Sequence, residues 1–168
     1  DAALVALEEG ATVYAGLDLS EVNDLTAFVA VTPVTDDLLA PVETKWHVHP
    51  TFWLPEVGLR EKSKSDRVPY DLWHKQGFLE ATPGPTVDYE FVAAFLFATS
   101  QRYDLRNVAF DRWNFRHLKP WLIRAGFTED QCEGDNAIFE QMGQGFQSMS
   151  PALRDLESAF LSETIVHG

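Results

Sequence analysis

The chain has 168 residues, 45% of them hydrophobic, and a net charge of −13 from 26 acidic and 13 basic residues. Length and apolar content describe one domain with a real core. The acidic balance excludes a generic nucleic-acid coat, which needs clustered Lys and Arg to neutralise phosphates, but not an enzyme whose acids recruit cations and so invert the local charge. The single cysteine, Cys132, excludes an intrachain disulfide and a Cys-rich zinc site, so a reducing, cytoplasmic setting is expected. No secretory signal, membrane-spanning apolar run, repeat or low-complexity segment is read.

Asp1–Glu9 reads as a short helical lead-in. Val13, Ala15, Leu17 and Leu19 then alternate with Tyr14, Gly16, Asp18 and Ser20, the period of a strand with one apolar face. Asp18 falls on the other face near the strand's end, among residues expected to bury it. Aspartate is depleted in strands, and a buried carboxylate is costly unless paired or bound to a metal, so a cation is expected there. Glu21–Asp24 is turn-like and Leu25–Val31 is β-rich, which predicts a hairpin with Asp18 and Asp24 at the same end of the sheet. Asp24 reads equally well as a turn residue capping its own backbone.

Thr44–Leu54 reads as a third strand whose apolar side is Trp46, Val48, Phe52 and Trp53. His47 and His49 share one side and are expected to be exposed. With no third ligand adjacent they do not make a zinc site. Glu56–Asp66 is a charged loop or short helix. Arg60, Lys62, Lys64 and Arg67 form the densest basic cluster, read either as a solvated loop or as phosphate-backbone contacts at the rim of a site. Pro69–Gly77 has the Pro start and Gly end of a short helix, and Phe78–Pro85 is a turn-rich link with room for a short strand.

Asp88–Tyr103 reads as a helix capped by Asp88, with Phe91/Phe95 and Val92/Leu96 as its i, i+4 pairs. Val108–Phe110 is a short strand ending on Asp111, a second carboxylate at a strand tip. Phe115–Ala125 reads as a helix stopped by Gly126 in spite of Pro120, with Trp113 assigned to the core. Arg112, Arg116, Lys119 and Arg124 form a second basic patch. Asp130–Gly145 is an acidic loop region around a short strand, Ala137–Phe139. Ser150 as N-cap and Pro151 at the first helical position begin a further helix with Leu153, Leu156 and Phe160 on its apolar side, and Glu163–His167 begins another strand. Three leading strands followed by helices alternating with short strands predict an α/β fold around a mixed sheet. The Asp111 strand is expected parallel and adjacent to the Asp18 strand, gathering Asp18, Asp24 and Asp111 at one sheet edge.

Gly16-Leu-Asp-Leu-Ser20 with Asn23-Asp-Leu-Thr26, then Pro69-Tyr70, Trp73 and Gly77, Thr82-Pro-Gly84, Val87-Asp-Tyr89, Ala109-Phe-Asp-Arg-Trp113 and Gly143-Gln-Gly-Phe-Gln-Ser-Met-Ser-Pro-Ala152 resemble the nuclease domain of the large terminase subunit of tailed bacteriophages. The specificity lies in their succession over most of the chain. The resemblance implies a ribonuclease-H-like mixed β-sheet flanked by helices on both faces. It also implies a metal-dependent endonuclease that cuts concatemeric viral double-stranded DNA during packaging in the host cytoplasm. The family's first metal-binding aspartate falls on Asp18, its second strand-end acid on Asp111, and a further hairpin aspartate on Asp24. Another family aspartate lies on a helix beyond a His-Gly motif, here His167-Gly168, where the sequence ends. The expectation is therefore a fragment short of one ligand, and one without the family's ATPase domain, since no Gly-x-x-x-x-Gly-Lys-Ser/Thr occurs. The implied partners are DNA, that ATPase domain, the portal and the small terminase subunit, with no membrane.

The residues suit that chemistry. Phosphodiester cleavage needs an activated water and a stabilised leaving oxygen, which two divalent ions about 3.5–4 Å apart supply. Mg²⁺ and Mn²⁺ prefer oxygen donors. The expectation is that Asp18 bridges the two ions, that Asp111 and Asp24 complete one side each, and that Arg112 or the Arg60–Arg67 segment contacts the DNA backbone. Two rival readings are a resolvase- or transposase-like nuclease on the same fold, and a non-catalytic module docking on a portal or partner subunit.

Overall fold

β1 (Thr12–Asp18) and β2 (Thr26–Val34) form the expected antiparallel hairpin. β3 (Lys45–Pro55) pairs antiparallel along the whole of β2. The outer edge of β3 takes β4 (Glu80–Thr82) at one end and β7 (Ile165–His167) at the other, both parallel. Beyond β1, β5 (Asp104–Phe110) and then β6 (Phe139–Gln141) add in parallel. The sheet order is β4-β3-β2-β1-β5-β6, with β7 off this path on β3. β2 alone runs against the other strands, so the carboxyl ends of β1, β3, β4, β5 and β6 share one edge. This computed structural model describes residues 7–20, 22–34 and 45–167, with the side chains of all but Val34, Arg112, Trp113 and His167. The first six positions of the expected lead-in helix, and Thr44, lie outside the described residues.

The helices are α1 (Leu59–Asp66), α2 (Tyr70–Gln76), α3 (Tyr89–Arg102), α4 (Arg112–Ala125), α5 (Glu129–Glu133) and α6 (Phe146–Leu161). The two-residue period of β1 sends Val13, Ala15 and Leu17 to one face of the sheet. There they pack with Val92, Ala93 and Leu96 of α3 and Phe115, Leu118 and Leu122 of α4. Trp53 is fully buried in the same layer, edge-on to Phe95, and its indole N–H donates to Glu80 at 2.9 Å. Phe110 stacks on Phe115 with centroids 4.0 Å apart, and Phe139, Phe127 and Phe97 continue the aromatic row to the α4–α5 corner. Gly126 ends α4 at φ +129°, where a Cβ would stand 2.5 Å from the Phe97 ring. Only glycine meets both demands. Among the described residues no helix is long and apolar enough to cross a membrane.

Several expectations are corrected. The helical face of β3 carries His47, His49 and Trp53, in register with Thr32, Ala30 and Thr26. Both histidines are therefore half-buried rather than exposed. Burial, reinforced by the neighbouring His47, lowers the pKa of His49. The run Trp46, Val48, Phe52, Trp53 does not form one face, because a two-residue period cannot place positions 52 and 53 together. Thr128 with Gln131 forms a capping box that starts α5, a turn of helix not expected in the acidic loop. α6 begins at Phe146, so Pro151 lies inside the helix instead of opening it. In α3, Phe91 is exposed while Val92, Ala93 and Leu96 are buried.

The carboxyl end of β1 is fixed by side chains from three other segments. The Ser20 N–H donates to Thr26 Oγ1 at 3.0 Å, and the Thr26 hydroxyl donates to Ser20 Oγ at 3.0 Å. The Tyr89 hydroxyl donates to the Ser20 carbonyl and the Asn114 amide to the Leu19 carbonyl, both at 2.9 Å. Thr26 is fully buried, so these groups have no water to fall back on. Orphaning a buried donor costs about 1–3 kcal/mol. Thr26→Val should therefore lower the unfolding free energy by about 1–3 kcal/mol, read as a lower denaturation midpoint at an unchanged m-value, and Thr26→Ser should lose less. Wild-type stability in Thr26→Val would remove the knot from the account of this strand end.

Candidate active site

β1 and β5 are parallel neighbours whose last paired residues are Leu17 and Phe110. The next residues are Asp18 and Asp111. Adjacent strands lie about 4.8 Å apart, so the two carboxylates leave the sheet side by side. Both fall on the face opposite the core, as Gly16 and Ala109 do. Together with Ala27, Val29, Met142, Gln144 and Met149 they line a cavity of about 300 Å³. The chain runs from β1 to β2, β3 and β4 on one side, then crosses to β5 and β6 on the other. A crevice at the carboxyl ends of strands, at such a switch in strand order, is where open α/β sheets bind ligands.

The local sequence accounts for the cavity. Gly16 has no side chain, and a Cβ built there would meet nothing within 4 Å. A strand glycine often marks a place where a ligand comes close. Ala27, Ala109 and Val29 keep the floor low. Met142 is tied to β5 by its N–H on the Phe110 carbonyl at 2.8 Å, and Met149 on α6 closes the far wall. Asp111 directly precedes α4, and Asn114 in the first turn of α4 reaches back to Leu19. The two strand tips are thus positioned against each other by backbone pairing and by one side-chain bridge.

Asp18 is exposed, not buried as its strand position implied. The helices that make the core lie on the other face. Asp24 sits in the β1–β2 turn with its side chain 85% exposed, at 3.1 Å from Lys62 Nζ, and is not among the residues lining the cavity. Lys62 also pairs with Asp66 at 3.0 Å. Desolvation pulls the Lys62 pKa down, but hydrogen bonds to Asp66 and Asp24 outweigh it, and the ammonium ends above its ordinary value. Arg60, Lys64 and Arg67 are exposed on and beside α1, which follows β3 at the same sheet edge. Arg112 is the first residue of α4, and its side chain, like that of Trp113, lies outside those described. Lys119 of the second basic patch is engaged by Glu129 and Glu133 at 2.8 and 2.6 Å. Burial pushes the Cys132 thiol up to about 11, leaving it protonated at neutral pH.

Among the described residues no group of three or more His, Cys, Asp or Glu side chains is arranged to hold a metal ion. The cavity offers two carboxylates and the Gln144 amide. Mg²⁺ is commonly held by one or two carboxylates while retaining several waters and taking up substrate phosphates. The donor set therefore fits a hard divalent cation, and it has none of the Cys or His that zinc would select. Ser20, Thr26, Tyr89 and Asn114, and Gln144 and Met149 on the cavity wall, carried no expected role. All but Asn114 lie inside the motifs that carried the resemblance, which was the available signal.

The family profile described as "Terminase large subunit, endonuclease domain" matches residues 5–168. The chain is 40% identical over 155 residues to "Terminase, large subunit" of Enterobacteria phage HK97, covering 92% of this chain and 28% of that protein. It superposes with a TM-score of 0.78 and 38% identity on the crystal structure of the HK97 bacteriophage large terminase, over 96% of this chain and 31% of that one. The chain thus spans under a third of the length of the relative it matches. The mixed sheet flanked by helices is the ribonuclease-H-like fold, and the chain belongs to the family of terminase large subunit endonuclease domains.

Proposed function

We propose that this chain is the DNA-cutting domain of a phage genome-packaging terminase and hydrolyses phosphodiesters of double-stranded DNA with divalent cations. The observation that carries the reading is the pair Asp18 and Asp111, side by side at the carboxyl ends of adjacent parallel strands and lining one cavity. Asp18 and Asp111 would hold the cations, with Asp24 joining from the hairpin turn. Mg²⁺ or Mn²⁺, when bound, supplies an activated water and charge neutralisation at the scissile phosphate. The chain's own part is to present oxygen donors on a rigid sheet edge, to leave the space above Gly16 open for a phosphate, and to face the backbone with Arg60, Lys64, Arg67 and Arg112. Those side chains position DNA without reading its bases. The full-length protein would add an ATPase domain and work with the portal and the small terminase subunit as partners.

A rival reading as a docking module draws on α6, whose Phe146, Leu153, Leu156 and Phe160 are exposed at helical spacing. A docking module would bind no cation at the sheet edge. Calorimetric titration with Mn²⁺ separates the two readings. Asp18→Asn and Asp111→Asn should each abolish measurable Mn²⁺ binding at the cavity, and Asp18→Asn should leave thermal stability near wild type, because Asp18 is exposed. In plasmid digestion the same variants should lose roughly two orders of magnitude or more of Mn²⁺-dependent cleavage. Cleavage that persists in chelator would end the metal reading, and a preference for branched over linear duplex would favour a resolvase.

Gly16 gives an independent check on the cavity itself. Gly16→Leu places a side chain in the open space of the cavity. The chain should fold normally, keep Mn²⁺ binding within a few-fold, and bind duplex DNA more weakly. DNA binding that is indifferent to this substitution would mean that the substrate does not enter above Gly16.

A further inference from the structure

Lys62 joins two elements at the active edge. Its side chain is only 16% exposed, and its ammonium lies 3.1 Å from Asp24 Oδ1 and 3.0 Å from Asp66 Oδ2. Asp66 is four residues along the same helix, so that contact is local to α1. Asp24 is the partner from the hairpin turn beside the strand tip that carries Asp18. The contact between α1 and the hairpin does not depend on this pair. Leu59 of α1 packs with Leu54 and Leu79, and Leu25, next to Asp24, packs against the same cluster. A half-buried ammonium on an exposed carboxylate therefore does little for the fold, yet it neutralises the acid of the β1–β2 turn.

We propose that Lys62 is a latch on Asp24: its ammonium competes with a divalent cation for that carboxylate, and a DNA phosphate arriving at α1 draws Lys62 away and releases Asp24 to the cation. This rests on the nuclease reading above. Arg60, Lys64 and Arg67 stand exposed around Lys62 and bring phosphate to the same helix. The chain carries net charge −13, so a cation site at full strength would fill without substrate. The latch makes cation loading and DNA binding support each other, and such coupling is reciprocal by linkage.

The test is calorimetric Mn²⁺ titration of the whole chain, with and without a short duplex. Lys62→Gln should tighten Mn²⁺ binding by about two- to fivefold, the scale of one exposed ion pair. Lys62→Arg keeps the pair and should stay at wild type. In an Asp24→Asn background Lys62→Gln should change nothing. The duplex should tighten Mn²⁺ binding more in the wild type than in Lys62→Gln. If Lys62→Gln unfolds, Asp66→Asn serves instead: with its second partner gone, Lys62 should hold Asp24 harder and weaken Mn²⁺ binding. An unchanged affinity in Lys62→Gln, equal tightening with and without Asp24, or equal gains from DNA in both proteins would overturn the latch. Unchanged Mn²⁺ binding in Asp18→Asn would instead overturn the metal reading itself, so the two failures are distinguishable.

Discussion

The parallel pairing of β1 with β5 is the constraint on which the site depends. Residues 18 and 111 are remote in sequence, and only a crossover connection can bring parallel strands together. Here the crossover comprises β2, β3, α1, α2, β4 and α3, and it deposits α3 on the face that β1 makes apolar. Burial of Val13, Ala15 and Leu17 against α3 and α4 thereby fixes the register that sets Asp18 beside Asp111. Slipping β1 by one residue would send Asp18 into the core and Leu17 to the cavity. The hydrophobic effect on one face thus determines carboxylate geometry on the other.

Charge explains why the site sits where it does. A surface carrying net charge −13 repels DNA at long range. Binding then needs a local inversion of sign at the point of contact. Arg60, Lys62, Lys64, Arg67 and Lys75, from α1 to α2, are five of the 13 basic residues, and they follow β3 at the active edge. The second patch is weaker than it reads in sequence, because Lys119 is held by Glu129 and Glu133. The proposed cations would add the remaining positive charge beside Asp18 and Asp111, since bound ions are often the largest local charges in a site.

What could be read from the sequence followed the range of the interactions. The alternation along Thr12–Ser20 is a local signal, and it placed Asp18 on the face away from the apolar residues, where the structure has it. Its burial could not be read, because exposure depends on which face the helices cover. The faces of β3 misled for the same reason: aromatic content pointed to one side, and register with β2 chose the other. The capping box of α5 was present as Thr128 and Gln131 but lay in a stretch too short and too acidic to read as helix. The Lys62–Asp24 contact joins segments with no shared periodicity, so composition made Lys62 one more surface base. The knot at Ser20, Thr26, Tyr89 and Asn114 is likewise a product of tertiary folding, and its members are ordinary residues until the strand end is in place.

The division between the two faces also decides what mutations here can mean. Removing a carboxylate from an apolar interior changes packing, solvation and chemistry together, and loss of activity then identifies nothing. Asp18 is exposed and the cavity around it is lined by Gly16, Ala27 and Ala109, so little packing energy rests on its side chain. Thr26 is the opposite case: fully buried, bonded at the strand tip and itself not part of the cavity lining. Its loss would disturb the placement of Asp18 through the backbone while leaving every oxygen donor present. A defect shared by Thr26 and Asp18 variants would point to geometry, and one confined to Asp18 would point to the carboxylate itself. The sheet separates those causes because its core and its reactive edge are built from alternate residues of the same strand.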